Sequence, residues 1–285
     1  MANARPTPIT QKQVAAYLKP RPKDSHKGLF GTVTIIGGGT GMVGAALLAG
    51  RAALKMGAGQ VHVGMLADNA PVVDVLQPEL MLHSAANALK STKPDVLVMG
   101  CGLSHGPAAQ KVLYDALLLD VPLVLDADAL NIIAQRPDLR GMLHTRKALA
   151  VCTPHPGEAA RLLACSTTDI QADRTGSALA LAKKLNCGVA LKGAGSICAT
   201  SDGKLHLNQT GNPGMSSAGM GDVLSGMIAA FIAQGLTTDE AMLLGVYLHG
   251  AAGDELAKQQ ATLGMSATEV TEWARWLLNR IVPRR

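Results

Sequence analysis

The most reactive-looking stretch of this sequence runs Asn212-Pro-Gly-Met-Ser-Ser-Ala-Gly-Met-Gly-Asp222 and leads directly into the apolar run Val223 to Ala230. Successive amides of Gly219-Met-Gly221, aimed one way at a helix start, make an anion hole for a moving phosphoryl group. Asp222 at the same terminus can take a proton from a hydroxyl while the amides hold the phosphate. An ordinary Asp N-cap is the plainer alternative, but it leaves the irregular backbone from Thr210 onward without a reason. No G-x-x-x-x-G-K-[ST] sequence occurs, so any phosphoryl chemistry here is not that of a Walker A loop.

Four further stretches fall where an apolar run meets a turn. In Asp126-Ala-Asp-Ala-Leu-Asn131, two carboxylates two residues apart can hold a Mg²⁺-bound water or a substrate hydroxyl. Asp128 also reads as the cap of the next helix, whereas Asp126 ends a strand. In Thr153-Pro-His-Pro-Gly-Glu158, His155 takes the N-cap, Pro156 N1 and Glu158 N3. An imidazole between two prolines is rigidly placed for function. Leu191-Lys-Gly-Ala-Gly-Ser196 sets Lys192 before a turn of Gly193, Ala194, Gly195 and Ser196; backbone or lysine lines a nucleotide, or the turn merely opens a hairpin. Gly39, Gly41 and Gly44 satisfy G-x-G-x-x-G, read either as a dinucleotide fingerprint with Asp68 as ribose partner or as a tight strand-to-helix turn.

These turns need a scaffold, and short β-branched runs alternating with longer helical ones supply it. Thr32–Ile36, Gln60–Met65, Asp95–Met99, Pro122–Asp126, Ala148–Cys152 and Val189–Lys192 read as strands, with helices over Ala45–Met56 and Pro107–Leu119. Such alternation implies right-handed crossovers and a mostly parallel sheet covered on both faces, a three-layer α/β/α sandwich. Ser196–Thr200 and Lys204–Leu207, split by Ser201-Asp-Gly203, form a hairpin on the sheet edge. From Asp222 onward the chain is helical almost to its end. No linker or repeat interrupts it, so one domain over 1–285 is expected.

Composition narrows the partners. Apolar residues are 48% of the 285 and aromatics only 2%, so the core must be built from Ala, Leu, Val, Ile and Met. The net charge of +5 is scattered, apart from a short Arg284-Arg285 tail, with no basic run interleaved with aromatics. That argues against nucleic acid and mildly favours an anionic small molecule. The 5 cysteines include no C-x-x-C pair, which points to reduced core thiols. Neither a signal h-region nor a membrane-length apolar run is present, and a cytoplasmic location is expected.

Taken together, the motifs resemble the ADP-dependent (S)-NAD(P)H-hydrate dehydratases of the ribokinase-like superfamily. Lys27-Gly-x-x-Gly-x-Val33, Gly37 to Ala46, Asp126 to Asn131, Thr153 to Glu158, Lys192-Gly193 and Asn212 to Gly226 match in the family order, within a motif-bearing core over about 27–280. The resemblance implies ADP-driven repair of hydrated NADH or NADPH (NADHX, NADPHX), with ADP as co-substrate and Mg²⁺ as cofactor. The ring hydroxyl is phosphorylated, and loss of phosphate then restores the double bond and leaves AMP. It assigns hydrate binding to Ala45 or Ala46, Gly102, His155 and Asp222. It assigns the nucleotide to Lys192 through Ser196 and to Gly221, catalysis to Asp222, and supporting roles to Asp126, Asn131, Glu158, Asn212 and Gly219. It leaves the metal ligands open and implies a homotetramer and a separate epimerase, since no epimerase domain is read here. Ala218 stands where the family usually has Gly. A vitamin-type kinase of the same fold, a Rossmann oxidoreductase and a nucleotide sensor are the competing classes; the first needs no Thr153–Glu158 motif and the second leaves Asn212–Asp222 unexplained.

Overall fold

The computed structural model describes residues 5–260 and 262–283, so the Arg284-Arg285 tail lies outside the described residues. The β-branched runs form β1 (Thr7–Pro8), β2 (Thr32–Gly37), β3 (Gln60–Met65), β4 (Met81–Ser84), β5 (Val96–Met99), β6 (Leu123–Leu125), β7 (Ala150–Cys152), β8 (Gly188–Leu191), β9 (Ile197–Ala199) and β10 (Leu205–Leu207). The helices are α1 (Gln11–Ala15), α2 (Val43–Lys55), α3 (Ala85–Ser91), α4 (Pro107–Leu117), α5 (Ala127–Gln135), α6 (Pro137–Thr145), α7 (Pro156–Leu163), α8 (Thr167–Ala172), α9 (Arg174–Leu185), α10 (Met220–Ala233), α11 (Thr238–Gln259) and α12 (Ala267–Ile281).

The strands lie in one sheet in the order β1-β10-β9-β8-β7-β6-β5-β2-β3-β4. From β8 to β4 all neighbours are parallel, while β9 runs antiparallel to β8 and to β10 as the expected edge hairpin. Two edge strands escaped the sequence reading. β1 is two residues long and contains a proline, and β4 is a short Met-Leu-His-Ser run without alternation.

Strand residues alternate between two cores, as a period of two requires. Val33, Ile35, Val96, Val98 and Val124 pack under α2, α10, α11 and α12, while Ile36, Leu97, Met99, Leu123 and Leu125 pack under helices α3 to α9. With so few aromatics, small residues let the layers close. Gly226 of α10 runs against the Ala49 carbonyl of α2, where a side chain has no room. No helix among the described residues is long and apolar enough to cross a membrane.

Candidate active site

The chain runs from β2 outward through β3 to β4, then returns to build β5, β6, β7 and β8 on the other side of β2. This reversal between β2 and β5 is a topological switch point, where two strand-end loops diverge and leave a crevice. Here the two loops are stitched together first. The Gly38 amide donates to the Cys101 carbonyl at 3.0 Å and the Gly39 amide to the Gly102 carbonyl at 2.6 Å. Gly102 has φ +61°, and a Cβ on it would sit 2.6 Å from the Met42 carbonyl oxygen and 3.2 Å from the Ala45 methyl. Ala45 and Gly102, far apart in sequence, therefore face each other. Ala46 is fully buried in the core, so Ala45 is the one of the pair left at the wall.

Across this wall stands the start of α10. Gly219 holds the N-cap position with φ +88°, which makes Asp222 the third helical residue and not the cap. Gly219 packs on Leu48 of α2, so the α10 start and the Gly37–Ala46 loop share one edge of the sheet. The Asp222 carboxyl is pushed up to about 6, first by burial and then by the neighbouring Asp126, while the nearby Cys101 thiol and Lys192 partly oppose the shift. Such a value suits a base that must hold and release a proton near neutrality.

Beneath Asp222 lies a buried charge pair. Asp126 is 1% exposed, and its Oδ1 accepts from Lys192 Nζ at 2.6 Å while Oδ2 accepts from Ser225 Oγ at 3.1 Å. Gly221 passes directly over the pair; a Cβ there would be 3.2 Å from both Asp126 Oδ2 and Lys192 Nζ. Burial works to lower the Lys192 pKa, but Asp126 and Glu158 outweigh it and hold the ammonium charged. Asp126, not Asp128, occupies the N-cap position of α5, which corrects the cap reading of Asp128. Asp128 instead accepts from the Ser104 amide at 2.7 Å and lies 3.1 Å from His105 Nε2, bracing the loop after β5.

His155 caps α7 as its spacing predicts. Its Nδ1 accepts from the amides of Gly157 and Glu158 at 3.0 and 3.4 Å, which assigns the ring proton to Nε2. Glu158 returns the favour through Oε2, which accepts from the His155 amide at 2.7 Å, and its Oε1 lies 3.2 Å from Nε2. Burial, Lys192 and Arg161 push His155 down, so it is neutral, with Nε2–H as its donor. Burial raises Glu158 to about 7. The Pro154 carbonyl accepts from the Lys192 amide at 2.9 Å, which fastens this loop to the next.

On the far side of Lys192 opens a cavity of about 460 Å³, walled by the Lys192–Ser196 turn, the segment 208–213, Gly221 and His249. Asn212 caps the turn Pro213–Met215 by accepting from Gly214, and its Nδ2 donates to Asp254 Oδ1 at 3.1 Å. Asn131 is not brought to the cavity: its amide oxygen accepts from Arg161, which ties α5 to α7. Asp68 is exposed beyond β3. Cys101, Ser225, His249 and Asp254 are the site residues that sequence reading missed. Only Cys101, between Gly100 and Gly102 at a strand end, carried a local signal.

A profile described as NAD(P)H-hydrate dehydratase matches residues 33–275. The chain belongs to the NAD(P)H-hydrate dehydratase family. The ADP-dependent (S)-NAD(P)H-hydrate dehydratase of Neisseria meningitidis is 42% identical over 92% of this chain and 90% of its own length. The bifunctional NAD(P)H-hydrate repair enzyme Nnr of Escherichia coli is 41% identical over 95% of this chain, which spans 52% of that protein. The Bacillus subtilis ADP/ATP-dependent NAD(P)H-hydrate dehydratase, crystallised with ATP and Mg²⁺, superposes with a TM-score of 0.88 at 30% identity, covering 99% of this chain and 100% of the other. The dehydratase fold is therefore the ribokinase-like sandwich. In the dehydratase, the strand-end motifs read from sequence converge on one edge, with Asp222 between the β2–β5 wall and the nucleotide-sized cavity.

Proposed function

We propose that this chain dehydrates the S form of NADHX or NADPHX at the expense of ADP, releasing NAD(P)H, AMP and phosphate. The observation that carries this reading is the Asp222 carboxyl, seated at the α10 start between a backbone wall and a cavity of about 460 Å³. The hydrated ring lies against Ala45 and Gly102, with His155 Nε2–H offering a hydrogen bond. The nucleotide occupies the cavity beside Lys192–Ser196 and Gly221. Asp222 takes the proton of the ring hydroxyl as its oxygen attacks the β-phosphorus, and AMP leaves with the electrons of the broken P–O bond. Amides at the α10 start hold the phosphoryl group in flight. The ring carbon–oxygen bond then breaks, phosphate departs with that electron pair, and the adjacent carbon gives up a proton to form the double bond.

Mg²⁺ fits this site as an ion carried on the nucleotide. The oxygen donors near the transfer point are Asp126 and Asp222, grouped with Cys101 within 4.8 Å. Burial holds the Cys101 thiol protonated, and Lys192 already neutralises Asp126, so Asp222 is the carboxylate that would be available to hold the ion. Bound there, Mg²⁺ would neutralise phosphate charge.

On this reading the chain acts as one domain and a cytoplasmic homotetramer, and a separate epimerase converts the R hydrate. The deciding experiment supplies purified protein with NADHX, Mg²⁺ and ADP or ATP and follows the absorbance of NADH. Recovery with ADP supports the proposal; no recovery with either nucleotide ends it.

A further inference from the structure

The Lys192–Ser196 turn has an unusual polarity. Apart from that of Ala194, its carbonyls have partners: Gly193 accepts from Ser196 Oγ at 3.2 Å, and Ser196 accepts from the Asn208 amide at 2.9 Å. Those of Leu191, Lys192 and Gly195 lie 3.2, 3.4 and 3.2 Å from one atom, Nη2 of Arg174. Its amides are open: among the described residues no protein acceptor meets the N–H of Gly193, Ala194, Gly195 or Ser196. Gly193 at φ +143° and Gly195 at φ +68° bend the turn in a way that needs glycine at both positions. Amides without protein acceptors, in a turn that walls a cavity, are a receptor for an anion.

Arg174 is what gathers the carbonyls on the opposite side. It opens α9 and packs against the turn, so that a Cβ on Gly193 would lie 2.9 Å from its Nη1. Its only other partner is the Gln171 side chain at 3.3 Å, and among the described residues no carboxylate comes within ion-pair distance of it. Arg174 spends its donors on peptide oxygens and the Gln171 side chain, with no carboxylate to offset its charge behind the cavity-lining turn.

We infer that Arg174 is the positioning residue of the nucleotide-phosphate site. By collecting the carbonyls of Leu191, Lys192 and Gly195, it orients the Gly193–Ser196 amides into the cavity and adds an unopposed positive field to them. The inference rests on the proposed function, because the anion it serves is the phosphate chain of ADP.

Arg174→Met and Arg174→Lys test it in the full-length protein, with ADP and hydrate varied separately. Arg174→Met is expected to raise the KM for ADP by roughly tenfold, the scale of one or two charge-assisted hydrogen bonds. The KM for hydrate and kcat stay within about twofold of the parent, since the phosphate receptor is separate from the Ala45–Gly102 wall. In calorimetry the variant loses affinity for ADP while adenosine binds as before. Arg174→Lys keeps the charge without a planar fork, so it recovers only part of the loss. An unchanged KM for ADP, equal weakening of ADP and adenosine, or full recovery by Arg174→Lys would overturn the inference. Should Arg174→Met not fold, the Arg174→Lys measurements decide alone. If the parent protein itself fails to dehydrate the hydrate, the proposed function falls; if only the Arg174 variants behave like the parent, this inference falls by itself.

Discussion

The two sides of the site are built by different physics. The wall proposed for the hydrate is main chain against main chain: Gly38 and Gly39 bond Cys101 and Gly102, and glycines stand where a methyl has no room. The nucleotide cavity is held open by charged side chains from distant helices. Asp254 of α11 gathers the Gly211 amide at 2.9 Å and the Asn212 side chain at 3.1 Å on one lip, and Arg174 gathers carbonyls on the other. A wall of backbone tolerates almost no substitution and fixes shape. A cavity held by ion-to-peptide contacts fixes polarity and can be weakened by degrees. Asp222 stands between the two and belongs to neither.

The largest effect should therefore come from Asp222. Asp222→Asn is expected to lower kcat roughly 10²–10⁴-fold, the range of a lost general base, while ADP and hydrate still bind in calorimetry. A non-catalytic sensor would instead keep its full response, so the turnover assay separates the readings. The same variant has a stability signature. A carboxyl whose pKa rises to about 6 on folding contributes its stabilisation below the unfolded value of 3.8 and loses it as pH climbs through 6. Asp222→Asn is accordingly expected to be more stable than the parent at pH 8, by at most roughly 3 kcal/mol at about 1.4 kcal/mol per pH unit, with the gap closing below pH 4. Urea unfolding at both pH values measures it.

Next comes the wall. Gly102→Ala needs a Cβ 2.6 Å from the Met42 carbonyl on a backbone of φ +61°, so the α2 start must move. Displacement of that order is expected to lower kcat/KM for the hydrate on the order of 10²-fold, with ADP affinity little changed. Steady-state kinetics with each substrate varied in turn check the split. Equal loss for both substrates would show that the two sides are not separable.

How far the sequence foretold this comparison depends on how local each feature is. The strands, the Gly37 loop, His155 with its Pro156 and Glu158, and the Gly219–Asp222 start were legible because periodicity, a cap or a glycine spacing lies within a few residues. Asp128 was misread as a cap because two carboxylates at one strand end compete for that position, and only the backbone shows Asp126 holding it. Asn131 matched a motif yet serves the α5–α7 contact. Arg174, Asp254 and His249 had no signature at all, since each reaches its loop from a helix whose local sequence says only that it is a helix. The wall was readable because glycine announces a close approach; the clamps were not, because an arginine or aspartate on a helix surface announces nothing.

Asp254→Ala sharpens the nucleotide side further. It removes two charge-assisted contacts to the 211–212 lip and is expected to raise the KM for ADP about tenfold, near 1.4 kcal/mol, with the KM for hydrate unmoved. If the hydrate KM rises equally, the lip serves both ligands.

The smallest effect tests the seam between the two sides. Glu158 is buried, is raised to about 7 mainly by that burial, and is set among Lys192, Asp126, Arg161 and His155. Its proton therefore comes and goes in the range where the enzyme is assayed, and each change alters the field on His155 Nε2–H, which lies 3.2 Å from Oε1. In the parent, kcat/KM for the hydrate should carry a shallow inflection near pH 7, on top of the steeper fall below about pH 6 from Asp222. Glu158→Gln preserves an oxygen acceptor for the His155 amide but cannot titrate. The shallow inflection should vanish with at most about a threefold change in rate, while the Asp222 limb stays in place. An inflection that survives the substitution would assign it elsewhere and leave Glu158 as a cap for α7 alone.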